Sequence, residues 1–475
     1  MQDLLYQSAA RMAALIRKKE ISPRELLEAH LRRIEQVNPK LNAIIQLDTE
    51  RARRDAETAE RAVAGGQILG PLHGVPITIK SSIDVAGVPC ECGSKLRQGH
   101  VPKQDAVLVA RLRQAGAIVL GVTNVPDMLV AYETDNLLYG RTNNPWNLDC
   151  TAGGSSGGES AAIASGCSAA GIGSDGGGSI RVPAHCCGIY GLKPTPGVIP
   201  RTGHWPACLG PSTLLGLIGP MARSVEDLEI MLRATSGRDP GDALSVPVML
   251  DAPSRDELAR VKIGWYEDDG IVPVTPETRE TVRKAAKLLG EEGFATEPYR
   301  PQGMESAREH WWMLFGVTGA ALTRPLVKGR EKDVHPIVQD LLAPPGEVVT
   351  ATFDQLLNTW VTRDLLLTKL QAQMEEYRVL LCPVASVPAF KHGERSWTID
   401  GQEVRYPQAF VYCQIFNLLG NPAVVVPAGR SREGLPIGVQ IVGRPYEEML
   451  ILAVARKLEE AVGPWQAPPD EVVAA

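Results

Sequence analysis

Two serines of this chain are embedded in glycine: Ser155 in "GGSSGG" and Ser179 in "GGGSIR". Upstream, Lys80 closes the strand-like run "GVPITIK", whose apolar neighbours would strip water from an ammonium group. These residue types suffice for acyl transfer. A serine hydroxyl is a weak nucleophile until a base removes its proton. Burial disfavours charged lysine, so its pKa falls from about 10.4 towards the range in which it acts as a base. Glycines next to a nucleophile let backbone N–H groups turn inward and stabilise the oxyanion of a tetrahedral intermediate.

The stretch that holds both serines, Cys150 to Ala184, also fits other templates, and each fails on a specific residue. "GIGSDG" (Gly171 to Gly176) matches the dinucleotide fingerprint, which wants an acidic residue about 20 positions later. No Asp or Glu occurs between Gly176 and Val225. "GGSSG" (Gly153 to Gly157) matches a nucleophile elbow, which should leave a strand tip. The preceding "NNPWNLDCTA" is polar and turn-rich instead. A phosphate loop needs Lys directly after its last glycine, where Glu159 stands. A flexible linker is a poor reading as well, because "ESAAIASGCSAAGI" is apolar enough to form a packed helix and strand.

The elements around these residues must bring them together. From Leu72 onward, short apolar runs alternate with helical patterns. "GVPITIK" and "AIVLGVT" read as strands, with "DAVLVARLRQAG" as a helix between them. "NPAVVVPA" and "GLPIGVQIVG" near the end read as further strands, followed by the helix "EEMLILAVARKLEEAV". Alternation of this kind implies an α/β fold around a largely buried sheet. A helix and strand between Ser155 and Ser179 would return the chain to the same sheet edge. Residues 1–65 read as N-terminal helices, one opening at Ser22-Pro23 and another stopping at Gly65-Gly66. Residues from about 238 to 375 are the least regular and read as a peripheral subdomain or lid. No sharp linker separates them, so residues 1–475 form a single domain in this reading.

Composition narrows the partners. Net charge is -6 and hydrophobic residues make up 44% of 475, as in ordinary soluble globular proteins. No basic run interleaves with aromatics, which argues against nucleic acid. No apolar run approaches a membrane span, and no secretory signal opens the chain. The nine cysteines are therefore expected as reduced thiols in a cytoplasmic protein. No cluster has metal-ligand spacing, and no cofactor is expected.

The long ordered pattern resembles the amidase signature family of serine hydrolases. The matching pieces are "PLHGVPITIK", "GVTNVPD", "TNNPWN", "GGSSGGES", "GSDGGGSIRVPAHCCGIYGLKPT", "NLLGNPAVVVPAG" and "GLPIGVQIVG", and the resemblance covers the chain from about residue 20 to 465. The resemblance implies a mixed, twisted central β-sheet covered by helices on both faces. It also implies a Ser–cisSer–Lys triad. Ser179 would be the acylated nucleophile, Ser155 would follow a cis peptide bond and bridge the proton path, and Lys80 would be the base. Backbone amides of Gly176, Gly177, Gly178 and Ser179 would form the oxyanion hole, pinned by Asp175 and Arg181. Ser156 and Ser174 are read as structural. Members often read "SDTGGS", and the extra glycine of "SDGGGS" is expected to loosen the loop.

Within the family, "TNVPDMLVAYETDN" looks closer to fatty acid amide and aryl amide hydrolases, which places Leu129 and Tyr132 near the acyl site. Small amides, esters or carbamates (urethanes) are the implied substrates, for a monomer or homodimer without nucleic-acid or membrane partners. Two other classes stay open at this point. One is a glutamine-hydrolysing amidotransferase subunit that works in a complex, and the other is a catalytically silent binding protein on the same fold.

Overall fold

The computed structural model describes residues 2–342 and 350–473; residues 343–349, inside the irregular stretch 238–375, lie outside the described residues. One mixed sheet organises the chain. Its strands are β1 (Ile44–Leu47), β2 (Pro76–Lys80), β3 (Ile118–Thr123), β4 (Ala170–Asp175), β5 (Tyr190–Lys193) and β6 (Leu217–Ala222), then β7 (Lys262–Trp265), β8 (Ala295–Pro298), β9 (Val379–Pro383), β10 (Ala423–Arg430) and β11 (Pro436–Val442). In space they run β1-β3-β2-β4-β6-β5-β10-β11-β9-β7-β8. The pairs β2/β3, β2/β4, β9/β7 and β7/β8 are parallel, and the other neighbours are antiparallel.

Alternate strand residues face two different cores, as the pleat requires. Ile118, Leu120, Leu380 and Val425 enter one core, against Leu27 and Leu31 of the helix Pro23–Leu41 and Ala161 of the helix Gly157–Ala164. Val119, Val122, Leu381, Val424 and Val426 enter the other. There they meet Leu108 of the helix Val107–Gln114, Leu228 of Val225–Thr235 and Leu452 of Glu448–Val462. The sheet is thus covered on both faces.

Local signals in the sequence set the helix ends. Ser22 caps Pro23–Leu41 in a full capping box with Glu25. Ser224 caps Val225–Thr235, while the carboxylate of Asp227 in that helix reaches out to the Ala9 and Ala10 amides at 2.9 and 2.8 Å. Asp227 therefore caps a second, N-terminal helix, Ala9–Arg17. The stretch 238–375 holds more than periphery. Its β7 and β8 form one end of the sheet, and its helix Pro276–Glu291 buries Val282, Ala285 and Leu289 in the second core. No described helix is long and apolar enough to cross a membrane.

The topology fixes the site. Strands β2 and β4 are parallel neighbours, so their last residues, Lys80 and Asp175, emerge at one edge of the sheet. The chain passes Ser155, runs through the helix Gly157–Ala164 and β4, and arrives at Ser179 on that same edge.

Candidate active site

Lys80 is fully buried at the tip of a strand in which every residue is buried. Its Nζ stands 2.7 Å from Ser155 Oγ, 2.8 Å from Ser156 Oγ and 3.1 Å from the Ser174 carbonyl oxygen. Burial pulls its pKa down to about 7, and the ionised Asp175 offsets that fall only in part. A lysine in this state exchanges a proton near neutrality. Glu159 offers it little counter-charge. That carboxyl lies buried between the Thr78 and Thr123 hydroxyls, and its own pKa is raised by desolvation.

The Gly154–Ser155 peptide bond is cis, the form the resemblance implies. A Cβ at Gly154 would fall 2.5 Å from the Glu133 carbonyl oxygen and 2.8 Å from that of Ala131, so the 131–133 backbone lies directly on this turn. The two serine loops are tied together, because the Ser156 N–H donates to the Ser179 carbonyl at 3.1 Å. Ser155 is buried and Ser179 is half-buried at the site.

Beneath Ser179 lies a fully buried ion pair. Arg181 Nε and Nη2 each meet the Asp175 carboxylate at 3.1 Å. Asp175 also accepts the N–H of Gly178 (2.7 Å), of Ile180 (3.0 Å) and the Asn417 amide (3.0 Å). Burial alone would raise the carboxyl pKa, but the Arg181 charge and these hydrogen bonds outweigh it and hold the group well below the usual carboxylate range. Arg181 further donates to Gln440 Oε1, the Cys413 carbonyl and Asn417. The structure thus places Asp175 and Arg181 where they brace the loop.

Of the four amides that the resemblance implies for the oxyanion hole, the Gly178 N–H is engaged by Asp175, and those of Gly176, Gly177 and Ser179 are not bound to that carboxylate. Aromatic side chains pack closely on the glycine-rich loop. A Cβ at Gly176 would fall 2.8 Å from Phe315 Cε2, and one at Gly177 would fall 2.4 Å from Trp311 Cζ2. Aromatic rings occupy the room that larger side chains would need.

Tyr132 is brought to this loop: its hydroxyl donates to the Gly177 carbonyl at 2.9 Å, and its ring stacks on Phe410 with centroids 4.0 Å apart. Leu129 ends the short turn Asp127–Leu129 in left-handed backbone (φ 66°), and its amide bonds Pro126 within that turn. The sequence reads Ser156 as structural, yet it supplies a second hydroxyl to Lys80. Gln414, Asn417 and Trp311 carry no sequence signal for this site. They come from helices remote in the chain, and only the fold shows their bonds to the loop.

A buried lysine and two paired serine loops thus meet where the parallel strands β2 and β4 end. The Amidase family model matches residues 25–452, and the chain belongs to that family, the amidase signature enzymes, as a hydrolase of carbon–nitrogen bonds in amides. An acylamidase of Rhodococcus erythropolis is 35% identical over 491 residues, covering 100% of this chain and 99% of the relative. A glutamyl-tRNA(Gln) amidotransferase subunit from Geobacter metallireducens is 33% identical over 470 residues, covering 94% of this chain and 95% of the relative. Among solved structures, a bacterial aryl acylamidase of the amidase signature family superposes with a TM-score of 0.86 at 28% identity, covering 97% of each chain.

Proposed function

We propose that the chain hydrolyses small, largely apolar or aryl amides through an acyl-enzyme on Ser179, with Ser155 and Lys80 completing a Ser–cisSer–Lys triad. The observation that carries this reading is the 2.7 Å contact between the buried, easily neutralised Lys80 Nζ and Ser155 Oγ. Neutral Lys80 takes the Ser155 proton as Ser155 takes that of Ser179. The Ser179 oxygen then attacks the substrate carbonyl. The oxyanion is stabilised by the amides of Gly176, Gly177 and Ser179. As the C–N bond breaks, the proton returns through Ser155 to the leaving nitrogen. Water repeats the sequence on the acyl-enzyme and releases the acid.

Support for apolar or aryl substrates is twofold. Tyr132, Trp311 and Phe315 set aromatic side chains against the glycine loop, and one solved relative is named an aryl acylamidase. Esters and carbamates present the same carbonyl to the same nucleophile and belong to the proposed range. Rates on purified protein with anilides, alkyl amides, esters and aryl carbamates test the reading. Turnover of anilides or carbamates supports it. A second reading follows from the amidotransferase relative. Glutamine hydrolysis appearing only with added partner subunits, and no anilide turnover, would favour that one.

A further inference from the structure

We propose that Trp311 is a positioning residue that aims the Gly177 oxyanion-stabilising amide by holding the Gly176 carbonyl, and that Tyr132 supports it by fixing the peptide unit that follows; this rests on the reading of Ser179 as nucleophile. A peptide unit is planar and trans, so fixing the direction of one C=O sets the N–H of the next residue to point the opposite way. Trp311 Nε1 donates to the Gly176 carbonyl at 3.0 Å, which turns the Gly177 N–H away from the indole. The Tyr132 hydroxyl donates to the Gly177 carbonyl at 2.9 Å, while Asp175 receives the Gly178 N–H of the same peptide at 2.7 Å. That unit is therefore locked at both ends. The neighbouring carbonyls are held too: that of Asp175 by Asn417 (3.3 Å) and that of Gly178 by the Val182 N–H (2.7 Å). Every carbonyl from Asp175 to Gly178 is thus engaged.

The two side chains are themselves fixed. Trp311 is 4% exposed and stacks on Phe315 with centroids 4.8 Å apart. It lies near the end of the helix Ala307–Trp312, which runs into a π-helical turn, Met313–Val317. Such turns are rare and recur at functional sites. Tyr132 receives a hydrogen bond from Gln414 Nε2 at 3.0 Å and stacks on Phe410. Glycine at 176 and 177 is what allows the rings of Phe315 and Trp311 to lie this close. Preorganised donors stabilise developing charge because they need not reorient during the reaction. Trp311 supplies that preorganisation at the Gly177 N–H, and Tyr132 keeps the next peptide unit from turning.

Trp311→Phe keeps an aromatic ring and removes the N–H donor; Tyr132→Phe keeps the ring and removes the hydroxyl. We expect each to lower kcat on an anilide about tenfold, short of the 10²–10³ lost when an oxyanion donor is deleted outright, with KM within about twofold of wild type. The inhibition constant of a trifluoromethyl ketone, which binds as a tetrahedral oxyanion, should weaken by the same factor as kcat/KM. Unchanged kcat and ketone affinity in both variants would overturn the proposal, as would a raised KM with kcat intact, the mark of a substrate wall. Measurement below the unfolding transition of each variant, checked by its thermal melt, keeps misfolding out of the comparison. Fluorophosphonate labelling separates this test from the reading beneath it. Label lost in Ser179→Ala, with ketone affinity unchanged in both aromatic variants, would overturn the positioning role alone. Label retained in Ser179→Ala would overturn the nucleophile assignment itself.

Discussion

Asp175 and Arg181 form an ion pair with no exposed surface on either side chain, directly under the loop that ends at Ser179. The pair does more than neutralise itself, because the carboxylate also gathers the amides of Gly178 and Ile180. Removing one partner of such a pair strands the other charge in a low dielectric, which typically costs about 3–5 kcal/mol. Asp175→Asn is therefore expected to lower the melting temperature sharply and to disable acylation. Because the native carboxyl pKa is depressed, its contribution is complete above the unfolded value near 4 and is lost as pH falls through the folded one. Thermal melts of wild type and Asp175→Asn from pH 7 down to pH 2 check this. The gap between the two curves should narrow steadily below about pH 4.

Ser155→Ala is expected to be milder than Ser179→Ala. A water molecule can partly replace a bridging hydroxyl, so losses of about 10²–10⁴-fold in kcat are expected, typical of general acid–base roles. Ser156→Ala should cost less again, since it removes the longer of the two hydroxyl contacts to Lys80 and leaves Ser155 in place. Single-turnover acylation of the three variants ranks them. Equal rates for Ser155→Ala and wild type would remove Ser155 from the proton path.

Activity should rise with pH through one ionisation near 7 and then plateau. The base must be neutral to accept a proton, and burial places the Lys80 pKa at about 7. The groups that interact with it are Cys92, Asp175, Glu159 and His204. Of these, the Cys92 thiol and the Glu159 carboxyl are pushed up by burial, Asp175 stays ionised through Arg181, and His204 is pulled down to about 3 by burial and the lysine charge. Of the four, only Glu159, pushed up to about 8 by desolvation, titrates near the lysine, and its carboxyl is held by the Thr78 and Thr123 hydroxyls rather than by a serine of the site. Lys80→Met should flatten that limb, while variants of His73, His185 and His204 should keep it. A limb that survives in Lys80→Met and vanishes in a histidine variant would move the base to that histidine.

Much of the site is legible in the sequence because its parts are local. Lys80 ends an unbroken apolar strand, and the serines sit in glycine runs separated by one helix and one strand, so burial and proximity follow from short patterns. The capping residues Ser22 and Ser224 act where their sequence context places them. Contacts made by distant segments cannot be read this way. The sequence assigns Tyr132 to the acyl site, and only the fold shows its hydroxyl on the Gly177 carbonyl, with Gln414 behind it. The Gly178 amide looks identical to its neighbours in sequence, and its engagement by Asp175 depends on the turn the loop takes. The segment 238–375 looks irregular because β7 and β8 are only four residues each, too short for a periodic signal.

The proposed mechanism stands on Ser179 carrying the acyl group. Reaction of the purified protein with a fluorophosphonate, followed by protease digestion and mass spectrometry, locates the adduct. One modified residue is expected, Ser179, with labelling slowed in Lys80→Met and absent in Ser179→Ala. An adduct on Ser155, Ser156 or any other residue, or undiminished labelling of Ser179→Ala, would contradict it.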